Sequence, residues 1–417
     1  MPTLDRREFL STASLAAGGA LLTSRVVFAG AGEKSRLVVI ILRGALDGLS
    51  AVPPYGDRDY ATLRRELAIG APGSSGGALR LDDLFGLHPS LPFLHESYQA
   101  RELIVFHAIA SPYRERSHFD AQDVLENGYA RPHAVQTGWL NRALAAAASG
   151  RPSRKELGVA LGQNVPLVMR GPAPVASWSP SRLAALDDDT LERITDLYSH
   201  DPMLSQRLAD ALNADAIASA AQDEKMSDGE EPSMLARREK GAAKGGARYS
   251  EIIRTAAGFL RREDGPQVAV FDTTGWDTHA NEGGAQGQLA LRLGALDSGL
   301  RTLKEQLGPV WHDTAVLLVT EFGRTAATNG TRGTDHGTAG AAFLVGGAVQ
   351  GGRVVADWPG LSARSLYEGR DLQPTLDLRA PLKGLLADQL LVPASALETS
   401  VFPDSASVRP LKGLLRA

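Results

Sequence analysis

Five short runs in this chain carry side chains able to hold a cation or attack an ester. They are Asp47; Ser117-His118; Asp277 and His279, two residues apart; Glu321 with Arg324; and Asp335-His336. Carboxylate oxygens mixed with imidazoles suit zinc, manganese or magnesium, as one ion or two. The chain has no cysteine, so disulfides and thiolate sites are excluded and any metal is held by oxygen and nitrogen. A divalent ion lowers the pKa of water or polarises an ester oxygen, and a pair of ions clamps the attacking and leaving oxygens of a displacement. Ser117 stands where a helix N-cap would, with Asp120 three residues on. A hydroxyl there could be a covalent acceptor, beside free N–H groups that suit an anion. His118 could be a ligand or a proton donor. The planar fork of Arg324 suits an anionic group. Each piece also has a plainer reading: Asp47 as the cap of the next helix, Ser117 as a simple helix start. A lone Asp-x-His is common by chance. Five such pieces at strand ends are more specific.

The elements that must position them are buried strands. Apolar runs at 36–42, 102–110, 267–271 and 314–320 precede Asp47, Ser117, Asp277 and Glu321, and a further run at 341–345 follows His336. Unbroken β-branched runs of this kind are strands covered on both faces, which points to parallel pairing. Helical patterns at 138–148, 187–212, 250–262 and 285–307 alternate with them. The expected fold is α/β, with a largely parallel central sheet flanked by helices, and ligands bind at the carboxyl ends of such strands. Short strands are expected at 157–161 and 165–169 and a loop at 171–180. A polar insertion at about 222–247 interrupts what is otherwise a single domain over 36–417. Gly73-Ser74-Ser75-Gly76-Gly77 matches the nucleophile-elbow pattern formally, without the strand and helix that motif requires. His88 and His95 read as packing or capping residues.

Composition narrows the classes. Hydrophobic residues make up 43% and charged ones 22%, ordinary values for a globular chain with a sizeable core. The net charge of −4 carries no basic stripe for nucleic acid. Residues 1–29 read as a twin-arginine export signal: Arg6-Arg7, a weakly hydrophobic segment over 11–22, and small residues up to Ala29. The apolar run is too short for a membrane span. The expected partner is therefore the twin-arginine export machinery, with a periplasmic or otherwise exported location and no membrane attachment after cleavage.

From residue 37 to about 403 the chain resembles the domain-of-unknown-function family 1501, exported proteins distantly similar to alkaline phosphatases and sulfatases. The motifs that carry this are Arg43-Gly44-Ala45-Leu46-Asp47-Gly48, Ser117-His118-Phe119-Asp120, Gly275-Trp276-Asp277-Thr278-His279, Thr320-Glu321-Phe322-Gly323-Arg324 and Asp335-His336-Gly337. The resemblance implies an alkaline-phosphatase-like domain. In it Asp47 matches the first-strand metal aspartate, Ser117 the nucleophile, Asp277 and His279 the next ligand pair, and His336 the last ligand histidine. Two departures stand out. Glu321-Phe322 replaces the usual Asp-His pair, so one ligand is missing, and the spacing from Asp277 to His279 is short. They imply one ion instead of two, a rearranged site, or a scaffold. The expectation is an exported metal-dependent hydrolase acting on a small anionic phosphate or sulfate ester. Ser117, His118 and Arg324 would serve catalysis; Asp47, Asp277, His279, Glu321, Asp335 and His336 would serve the metal. The alternative is a non-catalytic scaffold or binding protein with a degenerate metal site.

Overall fold

The structure, a computed structural model, describes residues 34–148, 156–180, 194, 197–198, 201–223 and 242–416. The expected export signal lies outside the described residues, as does most of the expected polar insertion. Nine strands form one sheet: β1 (Arg36–Arg43), β2 (Leu103–Ala110), β3 (Gly158–Leu161), β4 (Val175–Trp178), β5 (Val268–Thr274), β6 (Thr314–Val319), β7 (Gly340–Val345), β8 (Arg353–Val355) and β9 (Leu376–Asp377). Their order is β8-β2-β7-β6-β1-β5-β3-β4, with β9 also paired to β2. All pairs are parallel except those made by β7, which runs against both β6 and β2.

β1 explains the layering. All but its last residue are buried, and alternate side chains point to opposite faces. Val38, Ile40 and Leu42 pack into one core cluster; Leu37, Val39 and Ile41 pack into another. The first cluster is covered by α3 (Pro92–Gln99), α7 (Ala242–Arg261) and α8 (Gln288–Leu307). The second is covered by α5 (Trp139–Ala148) and α9 (Arg379–Gln389). The molecule is thus helix, sheet, helix, as the run of apolar strands required. Further helices among the described residues are α1 (Gly48–Ala51), α2 (Tyr60–Arg64), α4 (His118–Asn127) and α6 (Pro202–Asp223).

Three local expectations need correction. The run at 165–169 is a 3₁₀ turn over Leu167–Met169 and not a strand. The stretch read as a loop at 171–180 contains edge strand β4, which pairs with β3. Residues 242–247, placed in the insertion, open helix α7. Short apolar runs do not separate turn from strand, and an edge strand needs no continuous apolar stretch. His88 and His95 are structural, each bonded to a backbone carbonyl at 3.0 Å.

Candidate metal centre

Topology brings the chemical residues to one edge. β5, β1 and β6 are parallel neighbours, so Arg43, Thr274 and Val319 end together. β2 has the same sense and leads from Ala110 to α4, whose N-cap is Ser117. β7 is reversed, so it begins at that same edge, and the loop feeding it delivers His336. This is why one candidate ligand precedes its strand while the others follow theirs.

Four side chains meet there. His336 Nε2 lies 3.0 Å from His118 Nε2 and 2.9 Å from His279 Nε2. Asp277 Oδ1 lies 3.0 Å from His279 Nε2 and 3.5 Å from His336 Nε2, and Oδ2 lies 3.6 Å from His118 Nε2. Ligand atoms of His118, Asp277 and His336 all fall within 4.8 Å of one another. The outer ring nitrogens face acceptors. His118 Nδ1 is 2.8 Å from Glu321 Oε1, His279 Nδ1 3.3 Å from Asp335 Oδ1, and His336 Nδ1 3.0 Å from the Arg116 carbonyl oxygen. An acceptor at Nδ1 assigns the proton of a neutral imidazole to that nitrogen and leaves a lone pair on Nε2. Three lone pairs and a carboxylate then point at one place, an arrangement that repels itself without a cation. Imidazoles anchored through their far nitrogen are also the usual second layer of a metal site. Four-coordinate zinc, with bonds of about 2.0 Å, needs ligand atoms about 3.3 Å apart. The observed spacings bracket that value, so these residues fit such an ion.

Electrostatics agree. The Glu321 hydrogen bond raises the pKa of His118, against the effect of burial. Burial, then the neighbouring His118 charge, lowers that of His336. Burial alone would raise Asp277, but the hydrogen bond and charge of Arg324 outweigh it and hold the carboxyl below its ordinary value. Phe322, buried, lies with its ring centroid 4.9 Å from that of His118 and 5.2 Å from that of His336.

The other expected site residues sit elsewhere or do something else. Glu321 accepts from Gly44 N at 2.8 Å and Gln122 Nε2 at 3.0 Å as well as facing His118. Asp335 faces His279 and accepts from Asn329 Nδ2 at 3.1 Å. Both carboxylates stand behind histidines instead of among the four. Arg324 is 2% exposed and donates to the carbonyls of Ala45, Gly44, Thr334 and Trp276 and to Asp277. It anchors Asp277, a candidate ligand, and its fork is not open to an incoming anion. Asp47 caps α1 through Leu49 N and Ser50 N and pairs with Arg64. The capping role expected of it is thus present, and its carboxylate is not among the four that converge. Ser117 occupies the N-cap position of α4, but its side chain makes no capping bond.

Sequence reasoning missed Glu282 and Arg64. Glu282 accepts from Thr278 Oγ1 at 3.0 Å, Thr334 Oγ1 at 2.9 Å and Ser50 Oγ at 3.1 Å, and lies 3.7 Å from Arg64. It ties the loop of Asp277 and His279 to the loop of His336. A carboxylate three residues past His279 in a glycine-rich loop was the available signal. Nothing in the sequence around Arg64 marks it.

A family described as "Protein of unknown function (DUF1501)" matches residues 106–397. No curated protein matches the chain. Among solved structures the chain is similar to Ps i-CgsB in complex with k-i-k-neocarrahexaose, at 10% identity and a TM-score of 0.40, covering 90% of this chain and 77% of that one. It is similar to BT1596, a 2-O GAG sulfatase, at 13% identity and 0.32, covering 92% and 76%. It is similar to the lipoteichoic acid synthase LtaP from Listeria monocytogenes at 9% identity and 0.34, covering 89% and 76%. Scores this low leave the chemistry to be read from the chain's own residues.

Proposed function

The chain belongs to the DUF1501 family, and on the geometry of its four converging side chains we propose that it is an exported metal-dependent hydrolase of phosphate or sulfate esters. The observation that supports this most is the set of three imidazoles with outward Nδ1 acceptors and inward Nε2 atoms beside Asp277. His118, Asp277, His279 and His336 would hold one divalent cation, and an N₃O donor set favours zinc over manganese or magnesium. Such an ion supplies Lewis acidity to an ester oxygen. The residues around it do the remainder. Glu321 and Asp335 fix the rings, and Arg324 keeps Asp277 ionised and in place. Phe322 closes one side of the two imidazoles to water. Ser117, with a hydroxyl not engaged in capping and the N-terminus of α4 beside it, is the candidate acceptor for the transferred group. The Arg6-Arg7 leader supports export.

A second reading is a metal-holding scaffold without turnover. Two observations favour it: Phe322 stands where a further ligand would be expected, and the Arg324 side chain is fully buried on protein acceptors and not presented to a substrate. The deciding experiment is metal analysis of the purified protein. It is followed by assays on p-nitrophenyl phosphate and sulfate, with and without zinc or manganese. The hydrolase reading expects about one ion per chain, metal-dependent turnover, and at least a ~100-fold loss in Ser117→Ala, as for removal of a nucleophile. His279→Ala should lose both ion and activity. Stoichiometric metal with no turnover on a broad ester panel selects the scaffold. A protein that takes up no metal under any condition overturns both.

A further inference from the structure

A cavity of about 870 Å³ opens beside the candidate metal centre, at the carboxyl ends of β3 and β5 and against α7 and α8. That volume is in the range of pockets that enclose a whole organic ligand. Its walls include Ile252, Phe271, Trp276 and Leu296, all buried in the core cluster on this face. Trp276 is the residue before Asp277, so cavity and cluster share a stretch of backbone.

The polar groups are few. Asp272 lines the cavity but is paired with Arg43 at 2.5 Å. Arg292 is different. Among the described residues its Nε is buried with no hydrogen-bond partner. Its guanidinium packs against Gly275: a Cβ there would fall 2.2 Å from Nη1 and 2.6 Å from Cζ. The missing side chain at Gly275, which holds φ at +94°, is what lets the charge sit between the cavity and the strand end. Tyr249 also lines the cavity, its hydroxyl buried and, among the described residues, without a hydrogen-bond partner. A guanidinium with no acidic partner among the described residues, on the wall of a mainly apolar cavity, points to a ligand that brings a negative charge.

From this cavity we infer that the site takes an ester whose organic part is a mainly apolar body bearing a second negative charge, held by Arg292. The inference rests on the hydrolase reading only in calling that ligand a substrate. Its test reads binding, and so stands or falls apart from turnover. The probes are 8-anilinonaphthalene-1-sulfonate, an apolar body with an anionic group, and N-phenyl-1-naphthylamine, nearly the same body without charge. Each is titrated by fluorescence into the full chain with its metal content measured. Wild type should bind the sulfonate saturably, one per chain. Arg292→Gln should weaken the sulfonate about 10-fold, the order expected for loss of a charge-assisted bond, and the uncharged probe less than about twofold by the same argument. Ala295→Trp, at an exposed lining position of α8, should abolish both. Leu291→Asp, at a lining residue 75% exposed, should weaken the sulfonate without touching the core. Equal effects of Arg292→Gln on both probes, no effect on either, or binding that survives Ala295→Trp would overturn the inference. Ester assays decide the preceding reading alone.

Discussion

At the scale of single residues, the outward proton on each imidazole determines what its inward nitrogen can do. Glu321 raises the pKa of His118, so the metal-free protein keeps an imidazolium there to a higher pH than a free imidazole would. A cation must displace that proton. Affinity is therefore expected to level off above the raised pKa and to fall by about tenfold per pH unit below it, with about one proton released per ion bound. Asp277, held below its ordinary value, stays ionised across that window and adds no slope. Zinc titrations at pH 6 and 8, by calorimetry in two buffers of different ionisation enthalpy, check both statements. The sequence singled out His118 for catalysis and Asp277, His279 and His336 for a metal because they lie near strand ends; that the four converge is a finding of the structure. The proposed division between ligand and anchor was not legible there. Glu321 and Asp335 have the same chemistry as Asp277, and only the direction of each side chain assigns them to the outer ring.

Elements hold these residues together through loops that cross. Glu282 bridges the segment of Asp277 and His279 to that of His336 through two threonine hydroxyls. Burial, and next the Asp47 carboxylate, push its pKa up to about 8. The group keeps its proton in the fold while the unfolded chain loses it near the ordinary value of 4.5. Raising the pH from 4.5 to 8 therefore destabilises the native state, and above 8 this contribution is constant. Glu282→Gln should flatten that dependence. It should be more stable than wild type at pH 8 by roughly 1–3 kcal/mol, as for relief of a buried charge, and no more stable near pH 4.5. Urea melts at the two pH values measure this, and a variant gap that does not change with pH would exclude the linkage.

A second element-scale expectation concerns Gly44, at the end of β1. Its φ is +119° and a Cβ would lie 2.6 Å from Asp277 N. Its N–H and carbonyl also hold Glu321 and Arg324. Gly44→Ala should cost on the order of 2 kcal/mol, as strain at a special φ does, and should lower metal occupancy, seen by a thermal melt and metal analysis of the same sample. The glycine before Asp47 was visible in the sequence. That it presses on a strand's end more than 230 positions away was not, because β1–β5 pairing is a non-local fact.

For the molecule as a whole, the α/β class and the mostly parallel central sheet were legible from unbroken apolar runs, since strands buried on both faces leave that signature. The reversal of β7 was not, because strand direction has no local pattern. The leader falls outside the described residues and stays a proposal: Arg6→Lys with Arg7→Lys should leave the precursor in the cytoplasm, as cell fractionation would show. The four-residue cluster has a consequence for assembly. His118 and His336 are 218 positions apart, and the reversed strand brings the second to the first only once β6 and β2 have taken their places on either side of it. An ion caught by all four would act as a seal on a finished tertiary structure: a chain with one strand out of register would present fewer donors and let it go, so loading distinguishes correctly assembled molecules from near misses.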